Sequence, residues 1–150
     1  MDVALNFGEN ISALIFDRGM NVERFSKEVN IDSSVIYKYQ RRQSLPSLTN
    51  FIVIADYFGC SADGLLGNLS DYPTGGFKPA KNFSERLNQL LEEKGIKRYG
   101  LRKKAKEKGY SFAKQSLDDW VHGTRVPSVI NAVALAECLD VSLDYLLGRE

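Results

Sequence analysis

The stretch SADGLLG at residues 61–67 recurs as SLDYLLG at residues 142–148. Each stretch follows a Pro-Ser pair at the same distance along the chain, Pro46-Ser47 in the first case and Pro127-Ser128 in the second. The two halves of the chain also open on similar tetrapeptides, Asn-Phe-Gly-Glu at residues 6–9 and Asn-Phe-Ser-Glu at residues 82–85. A repeat of this size predicts two copies of one small folded unit.

The repeat divides the chain into two domains at residues 1–67 and 82–150, joined by a linker at residues 68–81. The linker contains two Pro and two Gly and has neither a helical nor a strand period. Fully extended, it would span up to ~46 Å. The offset between matching residues changes from 76 near the start of the repeat to 81 near its end. The second unit therefore carries five extra residues, which we expect around residues 106–113.

Composition and length bound the class of protein. Units of roughly 65 residues are small but can fold unaided. No apolar run approaches the ~20 residues of a membrane span, and the N-terminus does not resemble a signal peptide. Cys60 and Cys138 have no CxxC partner, which predicts core or near-surface thiols in a reducing compartment, the alternative being a disulfide or metal role. We therefore expect a cytoplasmic protein.

The net charge of +1 is unevenly distributed along the chain. Residues 1–70 hold six Lys/Arg and eight Asp/Glu, a net charge of −2, whereas residues 71–150 hold fourteen and eleven, a net charge of +3. A strongly basic domain is the usual footprint of a nucleic-acid-binding protein. The overall charge is therefore weak support for a polyanionic partner.

Apolar spacing predicts an amphipathic first helix in each unit. Apolar residues recur at i, i+3 and i+4 as Ile11, Leu14 and Ile15, and again as Leu87, Leu90 and Leu91. The Asn-x-x-Glu openings resemble capping boxes, so we expect Asn6 and Asn82 to cap these helices. Gly19 and Gly95 are expected to end them.

Four further helices are predicted in each unit, and no alternating strand pattern is sustained. The second helix is expected at residues 22–29 and 98–108, and the third at residues 33–41 and 114–121. The fourth follows each Pro-Ser pair, and Ser61 and Ser142 are plausible N-caps of the fifth. The predicted buried residues of the fourth helix are Phe51, Ile52, Ile54, Ala55 and Phe58, matched by Ala132, Val133, Leu135, Ala136 and Leu139.

Two short helices joined by a tight turn, the second presenting polar and basic side chains, form the helix-turn-helix pattern. The ordered residues of each unit resemble the Cro and phage-repressor helix-turn-helix family, also called XRE-type. The first unit carries the resemblance at Phe25, Val29, Ile36–Tyr39, Pro46-Ser47, Ala55 and Leu65-Leu66-Gly67, and the second at Leu117–Trp120, Gly123, Pro127-Ser128, Ala136 and Leu146-Leu147-Gly148. The resemblance implies an all-α fold of two tandem five-helix lambda-repressor-like domains.

In the first unit, the helical period places Ile36 and Tyr39 in the core. The side chains expected to point outward are those of Ser33, Ser34, Tyr37 and Lys38. The family resemblance implies that this face enters the major groove of DNA. Serine can bond to several base edges, lysine can donate to guanine, and an aromatic edge can contact a thymine methyl group.

Phosphate contacts are expected beside this face. Arg41 and Arg42 lie just beyond the third helix, where the resemblance implies contact with the DNA backbone. Asn21 opens the second helix, whose N-terminal amides can bind a phosphate. The alternative is that the serines only favour a helix start and that the basic residues form a solvated face.

The second unit departs from the family pattern at the second helix. Arg102 stands where the first unit has Ser26, a position that is small in the family because two helices pack closely there. Shifting the alignment to Ala105 restores a small residue but moves part of the insertion upstream. The junction before the third helix is also longer, which would reorient that helix.

The third helix of the second unit carries mixed charges. Asp119 matches Lys38, and it repels phosphate together with Asp118, although a carboxylate can accept from cytosine N4. The candidate DNA contacts in this unit are Lys97, Arg98, Lys114, Gln115 and Arg125. Seven basic residues crowd the second helix and either bind backbone phosphates or form a solvated face: Lys97, Arg98, Arg102, Lys103, Lys104, Lys106 and Lys108.

No catalytic or metal site can be assembled from the available residues. Trp120 occupies the core aromatic position of the family, and His122, the only histidine, lies just past the third helix. One His and two isolated Cys make neither a nucleophilic set nor a metal set. Gly75-Gly76 lies in the linker and forms no phosphate loop. We expect no enzyme activity, no metal and no cofactor.

These features predict a transcriptional regulator of bacterial or phage type that binds double-stranded operator DNA. Repression by occupancy is the expected mechanism, because the sequence ends just after the fifth helix of the second unit. The units are expected to act as an intramolecular pseudo-dimer or the chain as a homodimer, on half-sites ~34 Å apart. In a variant, the first unit reads bases while the second dimerises or grips the backbone. The alternative class is a protein-interaction module, antirepressor or antitoxin-like.

Overall fold

The structure, a computed structural model, describes residues 2–150, and Met1 lies outside the described residues. These residues form ten α-helices, one 3-10 helix and no strand, which confirms the all-α class. No helix among them is long and apolar enough to cross a lipid bilayer. The helices are α1 (Val3–Asp17), α2 (Val22–Val29), α3 (Ser33–Gln40), α4 (Leu48–Phe58), α5 (Ala62–Leu65), α6 (Phe83–Lys94), α7 (Arg98–Glu107), α8 (Lys114–His122), α9 (Val129–Cys138) and α10 (Leu143–Leu146).

The chain separates into two compact units, Met1–Phe77 and Lys78–Glu150. Helices α1–α5 belong to the first unit and helices α6–α10 to the second. The order is the same in both: a long first helix, three helices of intermediate length, and a closing helix of four residues. Each unit buries one apolar core between its helices.

The five extra residues of the second unit lie in helix α7 and in the turn after it. Helices α2 and α7 begin after the matching residues Asn21 and Lys97, but α2 has 8 residues and α7 has 10. Only residues 30–32 separate α2 from α3, whereas residues 108–113 separate α7 from α8. The insertion therefore lies where the alignment predicts it, and Arg102 stands at the position of Ser26.

The predicted start of the first helix is wrong in the first unit and right in the second. Helix α1 begins at Val3, and the Asp2 carboxylate accepts from the Leu5 amide at 3.1 Å as its N-cap. Asn6 lies inside the helix. In the second unit Asn82 caps helix α6 as expected, accepting from the Glu85 amide at 3.1 Å. The two similar tetrapeptides differ in their place in the helix, because only the first is preceded, one turn earlier, by a residue that caps the helix.

A polar side chain on the first helix satisfies carbonyl groups at the closing helix of each unit. Asn10 Nδ2 donates to the carbonyl oxygens of Gly64, Leu65 and Gly67 at 3.0–3.1 Å. Its counterpart in the second unit, Arg86, donates to the Tyr145 carbonyl from Nε at 3.0 Å and from Nη2 at 2.8 Å. The carbonyls of Gly64 and Tyr145 also accept from the backbone amides of Gly67 and Gly148, at 3.1 and 3.0 Å, so the side chains add further donors that tie the first helix to the closing helix.

The apolar periodicity is confirmed in most of its positions. Phe7, Ile11 and Ile15 of helix α1 are buried, while Leu14 is only half-buried. In the fourth helices, the predicted burial is wrong at one equivalent position of each unit, since Ile52 and Val133 are half-buried. Burial of Trp120 is confirmed, and Cys60 and Cys138 both lie in the core rather than near the surface, at 5% and 0% exposure.

Helix α3 packs closely on helix α1. Gly8 makes this approach possible, because a Cβ at this position would lie 2.6 Å from the Tyr39 carbonyl oxygen. The rings of Phe7 and Tyr39 meet edge to face at a centroid distance of 5.5 Å. In the second unit the close contact is made from the other side, since a Cβ on Gly123 would lie 2.9 Å from Ser84 Oγ.

Both ends of the segment expected to be a linker are bonded to a unit. Leu69–Asp71 form a 3-10 helix capped by Asn68, and Leu69 and Tyr72 lie against Gly64. At the other end, the Lys78 and Lys81 amides donate to the carbonyls of Arg149 and Leu147 at 2.7 and 2.9 Å. Residues 73–77 lie between these two bonded ends, so much of the segment expected to be a linker belongs to the units themselves.

A buried ion pair closes the second unit. Arg149 Nη1 lies 2.5 Å from Asp144 Oδ1, and both side chains are 1% exposed. The Arg149 amide donates to the Asp144 carbonyl at 2.8 Å, so the backbone holds the two residues together as well. Removing one partner of such a pair leaves a buried charge without compensation.

We therefore expect Arg149→Ala to lower the free energy of unfolding of the second unit by about 3–5 kcal/mol. Urea unfolding followed by the fluorescence of Trp120, the only tryptophan, reports on this unit. Arg125→Ala, which removes an exposed arginine of the same unit, is the matched control and should change the stability by less than about 0.5 kcal/mol. Equal stability of the two variants would contradict the importance of the pair.

Candidate nucleic-acid interface

The exposed side chains of helix α3 form one stripe. They are Ser34, Tyr37, Lys38 and Arg41, spaced at i, i+3, i+4 and i+7. This spacing places them on one face of the helix. Ile36 and Tyr39 on the opposite face are buried, as predicted. The side chains of Lys38 and Arg41 make no hydrogen bond or ion pair with another described residue, so both cations are available to a partner.

The N-terminal turn of helix α3 is organised by Asp32. Its carboxylate accepts from the Ser34 amide at 2.9 Å and from Ser34 Oγ at 2.8 Å. These two bonds lower the pKa of Asp32. Ser34 is exposed with its hydroxyl proton directed to Asp32, whereas Ser33, predicted to point outward, is half-buried.

Tyr37 bridges helices α2 and α3. Its hydroxyl donates to Glu23 Oε1 of helix α2 at 2.6 Å, and 36% of the residue is exposed. The bond lowers the pKa of Glu23 and raises the pKa of Tyr37. The ring edge therefore remains at the surface while the hydroxyl group is occupied. Sequence reasoning missed Glu23, because a contact between residues fourteen positions apart depends on how the helices cross.

Arg42 ends helix α3 in an unfavourable backbone conformation. Its φ is +63°, in the left-handed region, and the Gln43 amide closes the helix by donating to the Lys38 carbonyl at 2.9 Å. The other non-glycine residues with positive φ in the described chain are Asn30 and Asp140, types that tolerate this region. The Arg42 side chain makes only a long, exposed contact with Glu9 at 3.6 Å.

Asn21 lies at the start of helix α2 as predicted. Its side-chain oxygen accepts from the Arg24 amide at 2.8 Å, so it serves as the N-cap. Val22 in this turn is buried, and the Glu23 carboxylate, whose pKa is lowered by bonds from Tyr37 and from its own backbone, already places a negative charge beside these amides. Phosphate binding at this turn stays a prediction.

The matching stripe of helix α8 has the opposite charge. Its residues are Gln115, Asp118, Asp119 and His122, where helix α3 has Ser34, Tyr37, Lys38 and Arg41. Asp119 Oδ1 accepts from Gln115 Nε2 and from Thr124 Oγ1, both at 3.0 Å. His122 Nδ1 lies 2.8 Å from the Asp118 carbonyl. The predicted reader Gln115 is therefore engaged within its own helix.

Part of the basic cluster on helix α7 is engaged as well. Arg98 Nη1 lies 2.6 Å from Asp118 Oδ1 and joins α7 to α8. Lys108 Nζ lies 3.0 Å from Asp140 Oδ1, and its pairing lowers the pKa of Asp140. Other exposed basic residues of this unit have no ion pair to another described residue, among them Lys97, Lys103, Lys106, Lys114 and Arg125.

The described residues hold no group of three or more His, Cys, Asp or Glu side chains placed to bind a metal ion. The charged groups considered above lie on helix faces at the surface. The first unit presents a cationic stripe on α3, and the second presents a neutralised stripe on α8 beside a basic α7.

The bridge between Tyr37 and Glu23 can be tested by titration. In Tyr37→Phe we expect the pKa of Glu23 to rise toward its ordinary value, because the bond that stabilises the carboxylate is lost. The stabilisation from this bond is present at neutral pH and is lost as the pH falls through the lowered pKa of Glu23. Carboxyl NMR measures both pKa values, and Asp32, held by Ser34, is the internal control that should not change. An unchanged Glu23 titration would contradict the bridge.

Comparisons with known proteins identify no family for this chain. No protein-family model, curated protein or solved structure matches the chain. A function for the two helix faces therefore has to be argued from their own charges and contacts.

Proposed function

We propose that this protein binds double-stranded DNA in a sequence-specific manner through helix α3 and acts as a transcriptional regulator of the repressor type. The observation that carries the proposal is the α3 stripe, where Lys38 and Arg41 are exposed cations without an internal partner. Ser34 and Tyr37 precede them on the same face. Such a face combines phosphate attraction with groups that can contact base edges.

The backbone of Arg42 supports the same surface. A non-glycine residue in the left-handed region costs roughly 1–2 kcal/mol. The corresponding position in the second unit is Gly123, which has φ of +80° without that cost. An arginine retained at a strained position, with only a long contact to Glu9, is expected where its side chain has another use. Phosphate contact at the end of α3 is such a use.

The second unit supports a different contribution. Its α8 stripe carries Asp118 and Asp119, both bonded within the unit, so it is a poor reader of bases. Exposed Lys97, Lys103 and Lys106 on helix α7 are suited to backbone phosphates, which are bound without regard to sequence. We therefore assign base reading to the first unit and backbone contact to the second, with no enzymatic role.

A protein-interaction role is the second candidate, and a specific feature of the second unit favours it. Tyr99, Val126 and Ile130 are large apolar residues that are 75%, 51% and 57% exposed. Exposed aromatic and apolar side chains are typical anchors of protein interfaces. A protein partner or a second copy of the chain would cover them, in the manner of an antirepressor or antitoxin-like module.

Selection of bound sequences from a random duplex library tests the proposal. We expect one enriched half-site for the intact protein at low and at physiological salt. Lys38→Ala should lower the affinity for that half-site by about 1–3 kcal/mol and flatten the preference at one base position. Lys94→Ala, an exposed lysine at the end of helix α6, is the charge-matched control and should preserve the motif.

If folded protein enriched no DNA sequence at low salt, the DNA-binding proposal would be contradicted, and a protein partner would be the next candidate. Two unlike enriched half-sites would assign base reading to the second unit as well. A motif unchanged in Lys38→Ala would remove the α3 stripe from the interface.

Arg42→Gly separates stability from binding. We expect the free energy of unfolding to stay the same or to rise by about 1 kcal/mol, because glycine adopts a positive φ without a Cβ clash. DNA affinity should fall equally for all sequences, and the salt dependence should decrease by about one phosphate contact. Denaturant unfolding and binding titrations at several salt concentrations measure the two effects.

Arg41→Ala is the matched control for Arg42→Gly, since Arg41 has a φ of −84° and offers no strain to relieve. It should weaken DNA binding without a gain in stability. A glycine variant at position 42 that bound DNA like the unchanged protein would leave the strained arginine without a role in the interface.

A further inference from the structure

A cleft of about 540 Å³ opens in the second unit among helices α6, α7 and α8. This volume lies within the range of about 300–1,000 Å³ that is typical of small-molecule sites. The wall of the cleft is largely apolar, and its apolar contributors are Leu91, Ile96, Tyr99, Leu117 and Val121. A cleft with this lining favours the hydrocarbon body of a ligand.

Basic side chains surround the apolar wall. They are Lys97, Arg98, Arg102 and Lys114. The one carboxylate in the lining, Asp118, is already neutralised by Arg98 at 2.6 Å. The lining therefore has an excess of positive charge, which is complementary to an anion.

Arg102 supplies the observation that points to a specific ligand group. Its Nε is shielded from solvent, yet it has no hydrogen-bond partner among the described residues. A shielded charged donor without an acceptor is costly. Because Nε is shielded, a carboxylate in the cleft first meets the terminal nitrogens of the guanidinium. A rotation of the Arg102 side chain toward the cleft would let the carboxylate accept from Nε and from a terminal nitrogen at once, the geometry of the strongest arginine contacts.

The corresponding region of the first unit has different residues and different contacts. Ser26, which matches Arg102, is satisfied, because its hydroxyl donates to the Ile31 carbonyl at 2.5 Å. Val22, which matches Arg98, is buried, and the Tyr37 hydroxyl bridges α3 to Glu23 of α2. The unpartnered guanidinium and the basic lining are thus features of the second unit.

We propose that this cleft binds a small amphipathic anion, namely an organic carboxylate with an aliphatic or aromatic body. The carboxylate is held by Arg102 with Lys97 and Lys114 nearby, and the body packs on Leu117 and Val121. This proposal does not depend on DNA binding, since its readout is occupancy of the cleft.

The probe is sodium octanoate, titrated into the full chain and followed by ¹H–¹⁵N NMR. We expect saturable shifts of the backbone amides at residues 96–102 and 114–121, with a Kd on the order of 1 mM for a ligand of about ten non-hydrogen atoms. Octanamide has the same body without the charge, and inorganic phosphate has the charge without the body. Both should bind at least about tenfold more weakly.

Two substitutions on one helix provide the matched comparison. Arg102→Met keeps an apolar stem and should weaken octanoate about tenfold or more, while leaving octanamide unchanged within about twofold. Lys103→Met removes a neighbouring exposed charge outside the lining and should leave octanoate binding unchanged. If Arg102→Met does not fold, Lys114→Met tests the basic lining from helix α8 and should weaken octanoate several-fold.

Three results would overturn the proposal. Octanamide binding as tightly as octanoate would show that no anion is recognised. If phosphate bound as tightly as octanoate, the cleft would recognise only charge, as any basic surface does. Shifts spread over both units, or an equal loss in the Arg102 and Lys103 variants, would place octanoate outside the cleft.

Discussion

The close packing of the third helix on the first is the constraint on which each unit depends. In the first unit there is no room for a side chain at Gly8, and the Phe7 and Tyr39 rings fix the rotation of helix α3 about its axis. Once Tyr39 and Ile36 are buried, the face at i, i+3, i+4 and i+7 from Ser34 has to be exposed. The position of the candidate interface is therefore a consequence of core packing.

The second unit reaches the same arrangement with different residues. Ser84 replaces Gly8, and the space is supplied instead by Gly123 at the end of helix α8. A carbonyl at the closing helix likewise receives a donor from the first helix, which is an amide in Asn10 and a guanidinium in Arg86. Packing and hydrogen-bond satisfaction constrain the position of a contact more than they constrain the chemistry of the residue that makes it.

The surfaces of the two units are free of that constraint, and they differ most where the second and third helices meet. In the first unit a neutral phenol bonds to Glu23 and leaves Lys38 and Arg41 without partners. In the second unit Asp118 pairs with Arg98, Asp119 bonds to Gln115, and a longer turn accompanies a cleft beside Arg102. One fold thus carries a cationic helix face in one copy and an apolar, basic-lined cleft in the other, in keeping with function residing in sites rather than in folds.

The sequence by itself determined the all-α class, the repeat, most helix bounds and the burial of Tyr39, because apolar spacing and capping residues act within a few positions of each other. It predicted Asn6 as a cap and Ile52 and Val133 as core, and these were wrong because an earlier cap and the exact rotation of a helix decide them. Only the tertiary structure decided which charges are engaged. Three contacts illustrate this: Tyr37 with Glu23, Arg98 with Asp118, and the buried pair of Arg149 with Asp144. Each joins residues whose proximity depends on how helices cross or how the chain closes, which no local sequence pattern records.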